Sequence, residues 1–205
     1  VLTIERARAL VKDGDKFDLV VARHILEHVY DFPEFLAAVR ELLSPTGAVL
    51  FEVPDYAKLF ERLEYSALWE EHLVYFTPET YTRLLPLFGY SLLEFQNYEN
   101  LLENCLVALV SPVPVQNMFQ LPVSVHLAEE KRATSFAQMF SLQKQLARNS
   151  LWHYLQKGKK VVLFGAGHNS CFLVNLFDLG AFVCGVIDEN PEKKGKFMPG
   201  SQLPI

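Results

Sequence analysis

Cysteine is scarce in this sequence. Cys105, Cys171 and Cys184 are its only three, and no CxxC pair occurs. That spacing excludes a disulfide framework and a thiolate zinc site built from this chain. Each cysteine stands among apolar neighbours, which predicts three buried thiols. No apolar run reaches the roughly 18–20 residues that span a bilayer. The opening VLTIERARAL lacks the layout of a signal peptide, so a cytoplasmic protein with no membrane partner is expected. Charge of one sign never accumulates, and the net charge is -5, which leaves no electrostatic footprint for nucleic acid. A complete G-x-G-x-x-G and a Tyr-x-x-x-Lys are both missing. Their absence argues against an NAD-dependent oxidoreductase.

Hydrophobic residues make up 50% of the chain, enough to bury a core. Thr3 to Lys12 reads as a helix capped by Thr3, with a turn at Asp13-Gly14-Asp15. FDLVVA (17–22) is a short β-branched run suited to a buried parallel strand. Asp31 to Leu43 predicts a helix ended by Ser44-Pro45-Thr46-Gly47, and AVLFEV (48–53) a second buried strand. Strand, helix, turn and strand make a βαβ unit. Thr77 to Phe88 reads as a helix, with Thr77 as cap, Pro78 in the first turn and Gly89 as stop. Tyr90 to Gln96 and Leu106 to Val110 read as an antiparallel pair of strands at the sheet edge.

Pro112, Pro114 and Pro122 mark 111–122 as a linker. His126 to Gln156 reads as one long helix with Phe136, Met139, Phe140, Leu142 and Leu146 as its apolar face. A second α/β unit follows: strand Lys160 to Phe164, turn Gly165-Ala166-Gly167, helix Asn169 to Leu179, then strand Ala181 to Ile187 ending in Asp188. The first domain opens on a helix that leads into a strand, and the last stops after two strands. Both ends therefore read as cut.

Ligands of open α/β sheets bind beyond the carboxyl ends of strands. His24, Glu27 and His28 follow one such end, and Trp69-Glu70-Glu71-His72 lies in the loop after the next. A carboxylate beside an imidazole can orient the ring and raise its basicity, as a general base requires. The i, i+4 spacing of His24 and His28, in an H-x-x-E-H stretch, also suits a metal. A zinc site of that kind needs a long helix and a further ligand, so no metal site is expected. The Gly165–Asn169 turn could cradle a phosphate, because glycines let the backbone approach and a helix N-terminus favours an anion. Asp188 either contacts a ribose or starts the Asp-Glu-Asn-Pro turn.

These segments carry a family resemblance. FDLVVARHILEHVYDFPEFLAAVRELLSPTGAVLFEVP resembles the fourth and fifth strand region of a class I S-adenosylmethionine (SAM) dependent methyltransferase. LWEEHLVYFTPETYTRLLPLFGY is similar to a stretch of nucleotide-sugar C-methyltransferases in which Tyr-x-Glu-His precedes a Tyr/Phe-Phe and a helix. VVLFGAGHNSCFLVNLF and GVIDENPEKKGKFMPGSQLPI resemble the C-terminal domain of that family. The three blocks occur in the family's order over nearly all of the chain.

The resemblance implies an α/β chain with part of a Rossmann-like SAM-methyltransferase fold over 1–110. A linker and long helix over 111–157 and the start of a second Rossmann-like domain over 158–205 would follow. The implied cofactor is SAM, and the implied substrate a nucleotide-linked keto-deoxysugar. By position, His72 matches the catalytic base, Glu71 its carboxylate neighbour, and His28 a histidine of the sugar site. Trp69 falls where the family often has a tyrosine, so a phenol is lost there. Asn104 lies in a segment that approaches the substrate. Gly165, Gly167, Asn169 and Asp188 fall in the domain that helps hold the nucleotide-sugar, and His24 is placed beside the cofactor. The family's glycine-rich SAM loop and a zinc module precede the first residue here, so the 205 residues alone are expected not to methylate. Competing expectations are a non-catalytic nucleotide-sugar-binding module and a SAM methyltransferase with a non-sugar substrate.

Overall fold

The computed structural model describes residues 2–12, 14–99, 104–112 and 123–205. The architecture is mixed α/β. The chain divides into two compact units, Val1–Lys58 with Trp69–Lys131, and Leu59–Leu68 with Arg132–Ile205.

In the first unit, α1 (Ile4–Leu10) is capped by the Thr3 hydroxyl, which accepts from the Arg6 amide. α2 (Phe32–Leu42) is capped by Asp31, whose carboxylate accepts from the Glu34 amide. Each cap satisfies an orphan donor of a first turn. The two helices meet through Ala7 and Ala38, both fully buried, where small side chains permit close approach. The next α-helix in the chain is α3 (Ala57–Arg62), and α4 (Pro78–Leu87) starts with the Thr77–Thr80 capping box.

Four strands form one sheet in the order β1 (Phe17–Arg23), β2 (Leu43–Pro54), β4 (Cys105–Pro112), β3 (Tyr90–Tyr98). β1 and β2 are parallel, and the pairs β2/β4 and β4/β3 are antiparallel. The expected antiparallel pair is therefore present, with β3 at one edge. β1 is the other edge, and here the expectation of a buried strand fails. Leu19 is 53% and Val21 54% exposed, because they lie on the face of β1 opposite Val20 and Ala22, the two that pack on the core.

The expected turn at Ser44–Gly47 lies inside β2. Phe17 pairs with Leu43 and Leu19 with Ala48, so the intervening residues bulge from the ladder. The core lies between the sheet and α2 and α4 and includes Leu36, Val39, Val49, Phe51, Leu85, Leu106 and Ala108. Two deeply buried phenols donate to backbone carbonyls, Tyr81 to Phe51 O at 2.9 Å and Tyr90 to Leu36 O at 2.7 Å. Burial raises both hydroxyls above the usual tyrosine range, Tyr90 to about 12.

The long helix is α5 (Val123–Gln156). Its expected apolar face is only partly right. Phe136, Phe140, Ala147 and Leu151 pack on the core of the second unit, whereas Leu142 is 47% and Leu146 50% exposed. That core gathers Tyr65, Val174, Phe177, Leu179, Val183, Val186, Met198 and Leu203. The expected linker falls mostly on 113–122, outside the described residues.

The second unit's strands are shorter than expected: β5 is Leu163–Phe164 and β6 Val186–Ile187, in parallel. Gly180–Phe182 forms a 3-10 turn in place of the start of the second strand. Pairing continues irregularly beyond β5, from the Cys184 amide to Val161 O at 2.9 Å. α6 (His168–Leu176) begins at Gly167. The expectation of three buried thiols is also corrected. Cys105 and Cys171 are half-buried and Cys184 is exposed, with its thiol on Val161 O at 3.1 Å. Among the described residues no helix is long and apolar enough to cross a membrane.

Candidate functional site

The carboxyl ends of β1 and β2 bring two loops together in the first unit. After β1 the chain makes a 3-10 turn over Leu26–His28, tighter than the open loop expected there. The Glu27 carbonyl receives the Leu73 amide at 2.8 Å and the Val74 amide at 3.3 Å, which fastens the Trp69–His72 loop beneath it. That loop is itself a turn, closed by the His72 amide on Trp69 O at 3.0 Å.

His28 and His72 therefore meet, with ring centroids 4.6 Å apart and planes at 79°. His28 donates from Nδ1 to the Glu71 carbonyl at 3.0 Å, the only role open to that nitrogen against a carbonyl. Its Nε2 is left with the lone pair in the neutral ring. The Tyr56 hydroxyl lies 2.5 Å from His72 Nδ1. Trp69 stacks on the His72 ring at 6.0 Å, and Tyr75 crosses the Tyr56 ring at 4.6 Å. The Tyr75 hydroxyl ties down the Trp69 backbone, donating to its carbonyl at 2.9 Å and accepting from its amide at 3.2 Å.

The expected pairing of the Glu71 carboxylate with His72 is not what the loop presents. Its turn carries the Glu71 side chain into solvent and turns the Glu71 carbonyl towards His28. The group against His72 Nδ1 is the Tyr56 hydroxyl, which sequence reasoning missed. Pro54 ends β2 and Asp55-Tyr56 follow directly, so the signal was positional. Asp55 is buried there and accepts from the Ala57 amide and Asn97 Nδ2, both at 3.0 Å. Asn104 is held against the same corner, its carbonyl accepting from the Asp55 amide at 2.8 Å.

Glu27 is the second group that the sequence did not single out as a site residue. Its side chain is 0% exposed, and neither carboxylate oxygen has a hydrogen-bond partner. Burial pushes its carboxyl up, opposed by its own backbone amide and by the neighbouring His24 and His28. One oxygen of Glu27 and one nitrogen each of His28 and His72 lie within 4.8 Å of one another.

His24 stands apart from the paired imidazoles, at a left-handed φ of 51°. Its Nδ1 is 3.4 Å from Glu27 Oε1, outside hydrogen-bonding geometry, and its Nε2 is 3.3 Å from Glu52 Oε1. Arg23 grips Glu52 through two bonds of 2.6 and 3.0 Å, which hold the Glu52 carboxyl below the usual range. A side-chain atom each of His24, Glu52 and Cys105 forms a second close group. A cavity of about 260 Å³ opens beside His28, with Leu2, Ile25 and Tyr30 on its wall and Asp31 and Glu34 as its charged members.

The glycine turn lies in the second unit. Gly165 has φ 98°, a conformation that side chains with a Cβ rarely adopt, and Gly167 is the N-cap of α6. Asn169 lies in the first turn of α6. Asp188 closes the turn from the next strand end. Its carboxylate accepts from the Ala166 amide at 2.7 Å, Lys193 Nζ at 2.9 Å and the Asn190 amide at 2.9 Å. These bonds, Lys193 foremost, lower its pKa to about 2.

A carboxyl depressed by folding stabilises the fold above its unfolded pKa and loses that contribution as pH falls through the folded value. The Ala166 and Asn190 amides are therefore expected to stay protected above about pH 4 and to lose protection between about pH 4 and 2. Amide-resolved hydrogen exchange checks this, and protection unchanged at pH 2 would contradict it.

Residues 4–94 match the model of a methyltransferase domain, and residues 111–205 match that of a C-methyltransferase C-terminal domain. C-methyltransferase NovU of Streptomyces niveus is 26% identical over 196 residues, which are 91% of this chain and 46% of that protein. A ubiquinone biosynthesis O-methyltransferase of Dinoroseobacter shibae is 31% identical over 93 residues, 40% of this chain and 38% of that protein. The DhpI–SAH complex structure aligns at a TM-score of 0.35 and 24% identity, over 48% of each chain. The chain thus carries, in order, methyltransferase-domain sequence and C-methyltransferase C-terminal sequence. It spans less than half the length of either curated relative.

Proposed function

We propose that this chain belongs to a SAM-dependent C-methyltransferase acting on a nucleotide-linked keto-deoxysugar, with His72 as the base. The observation that carries the reading is the Tyr56–His72 contact at the carboxyl end of β2. A ring nitrogen can accept a proton only if the other nitrogen already holds one. Nδ1 of His72, 2.5 Å from the Tyr56 oxygen, has an acceptor for its hydrogen there. Nε2 then carries the lone pair that removes the proton beside a keto group.

The carbanion formed in this way is the carbon nucleophile that C-methylation requires. Its charge rests mainly on the former keto oxygen. His28 can donate to that oxygen from Nε2 as an imidazolium, since its Nδ1 hydrogen is committed to Glu71 O.

SAM, when bound, supplies an electrophilic methyl group on a sulfonium. The cavity beside His28 fits a group of that kind: its wall is largely apolar, and its charged members are Asp31 and Glu34, with no lysine or arginine. Such a wall suits a cation and repels a polyanion. In the second unit, the Gly165–Gly167 turn and Asn169 at the start of α6 are proposed to hold the nucleotide phosphates, with Asp188 and Lys193 fixing the turn.

Calorimetry of the full-length protein separates this reading from a non-catalytic binding module. Binding of both SAM and a nucleotide-linked 4-keto-deoxyhexose is expected. Binding of the nucleotide-sugar without SAM would leave only the module.

A further inference from the structure

We infer that Glu27, His28 and His72 form a binding site for a divalent cation of the zinc class. Two imidazoles and a carboxylate are the usual protein donors for such an ion, with a fourth position open to solvent or substrate. Here one atom from each side chain already lies within 4.8 Å of the other two. A tetrahedral ion about 2.1 Å from its ligands sets them about 3.4 Å apart, so the group closes on an ion by at most about 1.5 Å.

Two independent features point to an ion. Glu27 is fully buried and neither oxygen accepts a hydrogen bond, with His24 Nδ1 no closer than 3.4 Å to Oε1, a costly state that a cation at this point would relieve. Each imidazole also has its Nδ1 engaged by an oxygen, His28 by the Glu71 carbonyl and His72 by the Tyr56 hydroxyl. Metal-bound histidines are commonly held in this way, with the second nitrogen on an oxygen and the first aimed at the ion.

Of the H-x-x-E-H stretch only Glu27 and His28 take part, and the fold adds His72 from the second loop. The other close group, His24, Glu52 and Cys105, is a poor competitor. Glu52 there is bridged by both Arg23 nitrogens, which an ion would have to displace.

Binding at this site does not depend on the proposed reaction. Its consequence does: an ion on His72 Nε2 occupies the lone pair the base needs, so a filled site stops proton removal.

The test is titration of the chelator-stripped 205-residue chain with cobalt(II), followed by its visible absorption, with zinc as competitor. One cobalt with the intense absorption of a four-coordinate site is expected, displaced by zinc. Glu27→Gln and His72→Ala should each weaken binding at least about 100-fold, whereas Glu52→Gln should leave it unchanged. Absence of binding, or equal binding by Glu27→Gln and His72→Ala, overturns the site. In the full-length protein, methyl transfer undiminished with zinc bound would leave the metal site standing and overturn His72 as base.

Discussion

Replacing His72 with alanine is expected to lower the turnover of methyl transfer by about 10²–10⁴-fold, the usual contribution of a positioned general base. The Michaelis constant for the nucleotide-sugar should change little, because proton removal is needed in the transition state and not for binding. Stability should be nearly unaffected, since the ring sits half-exposed in a surface loop. Tyr56→Phe should show a smaller loss, because the ring remains but the hydroxyl beside its Nδ1 is gone. Steady-state kinetics of the three proteins decides. A His72→Ala enzyme within a few-fold of the parent would remove His72 from the reaction.

The largest stability effect is expected at Phe51. β2 is an interior strand of the sheet, and Phe51 pairs with Ala22 on one side and Ala108 on the other. Its ring is 0% exposed and meets Tyr90 edge-on at 6.2 Å. The small alanines on both flanks cannot fill the volume its removal would leave. Phe51→Ala should therefore cost about 3–5 kcal/mol, the range for emptying a rigid aromatic core site. A fall of that size in urea-unfolding free energy with an unchanged slope would bear this out. A loss below about 1 kcal/mol would mean that the sheet collapses around the gap.

Local signals in the sequence were reliable where one side chain settles the matter. Thr3 and Thr77 cap the helices expected of them, because a hydroxyl reaching its own first turn needs no tertiary partner. The run of β-branched residues located β1, but a continuous apolar run does not show which face of the sheet is covered, so the exposure of Leu19 and Val21 opposite Val20 and Ala22 was not foreseen. In α5 the apolar residues are spread around the helix. Only the partner surface selects Phe136 and Phe140 over Leu142 and Leu146.

The candidate site divides in the same way. His28 and His72 were legible because each follows a strand end, and the fold brings their rings into contact. Glu71 was read from its adjacency to His72. In a tight turn adjacent side chains diverge, and the carbonyl of Glu71 does the contacting instead. Tyr56 gained significance only from long-range geometry, through a 2.5 Å contact across the loop, whereas Glu27 was legible at the strand end and only its complete burial needed the fold.

The proposed reaction is carbon methylation of a keto-sugar. It is tested by incubating the full-length protein with methyl-labelled SAM and a nucleotide-linked 4-keto-deoxyhexose, and locating the label in the sugar by mass and carbon NMR. One new methyl is expected on the carbon beside the keto group, absent with His72→Ala. Label on oxygen, or no label in any keto-sugar despite tight SAM binding, would contradict it.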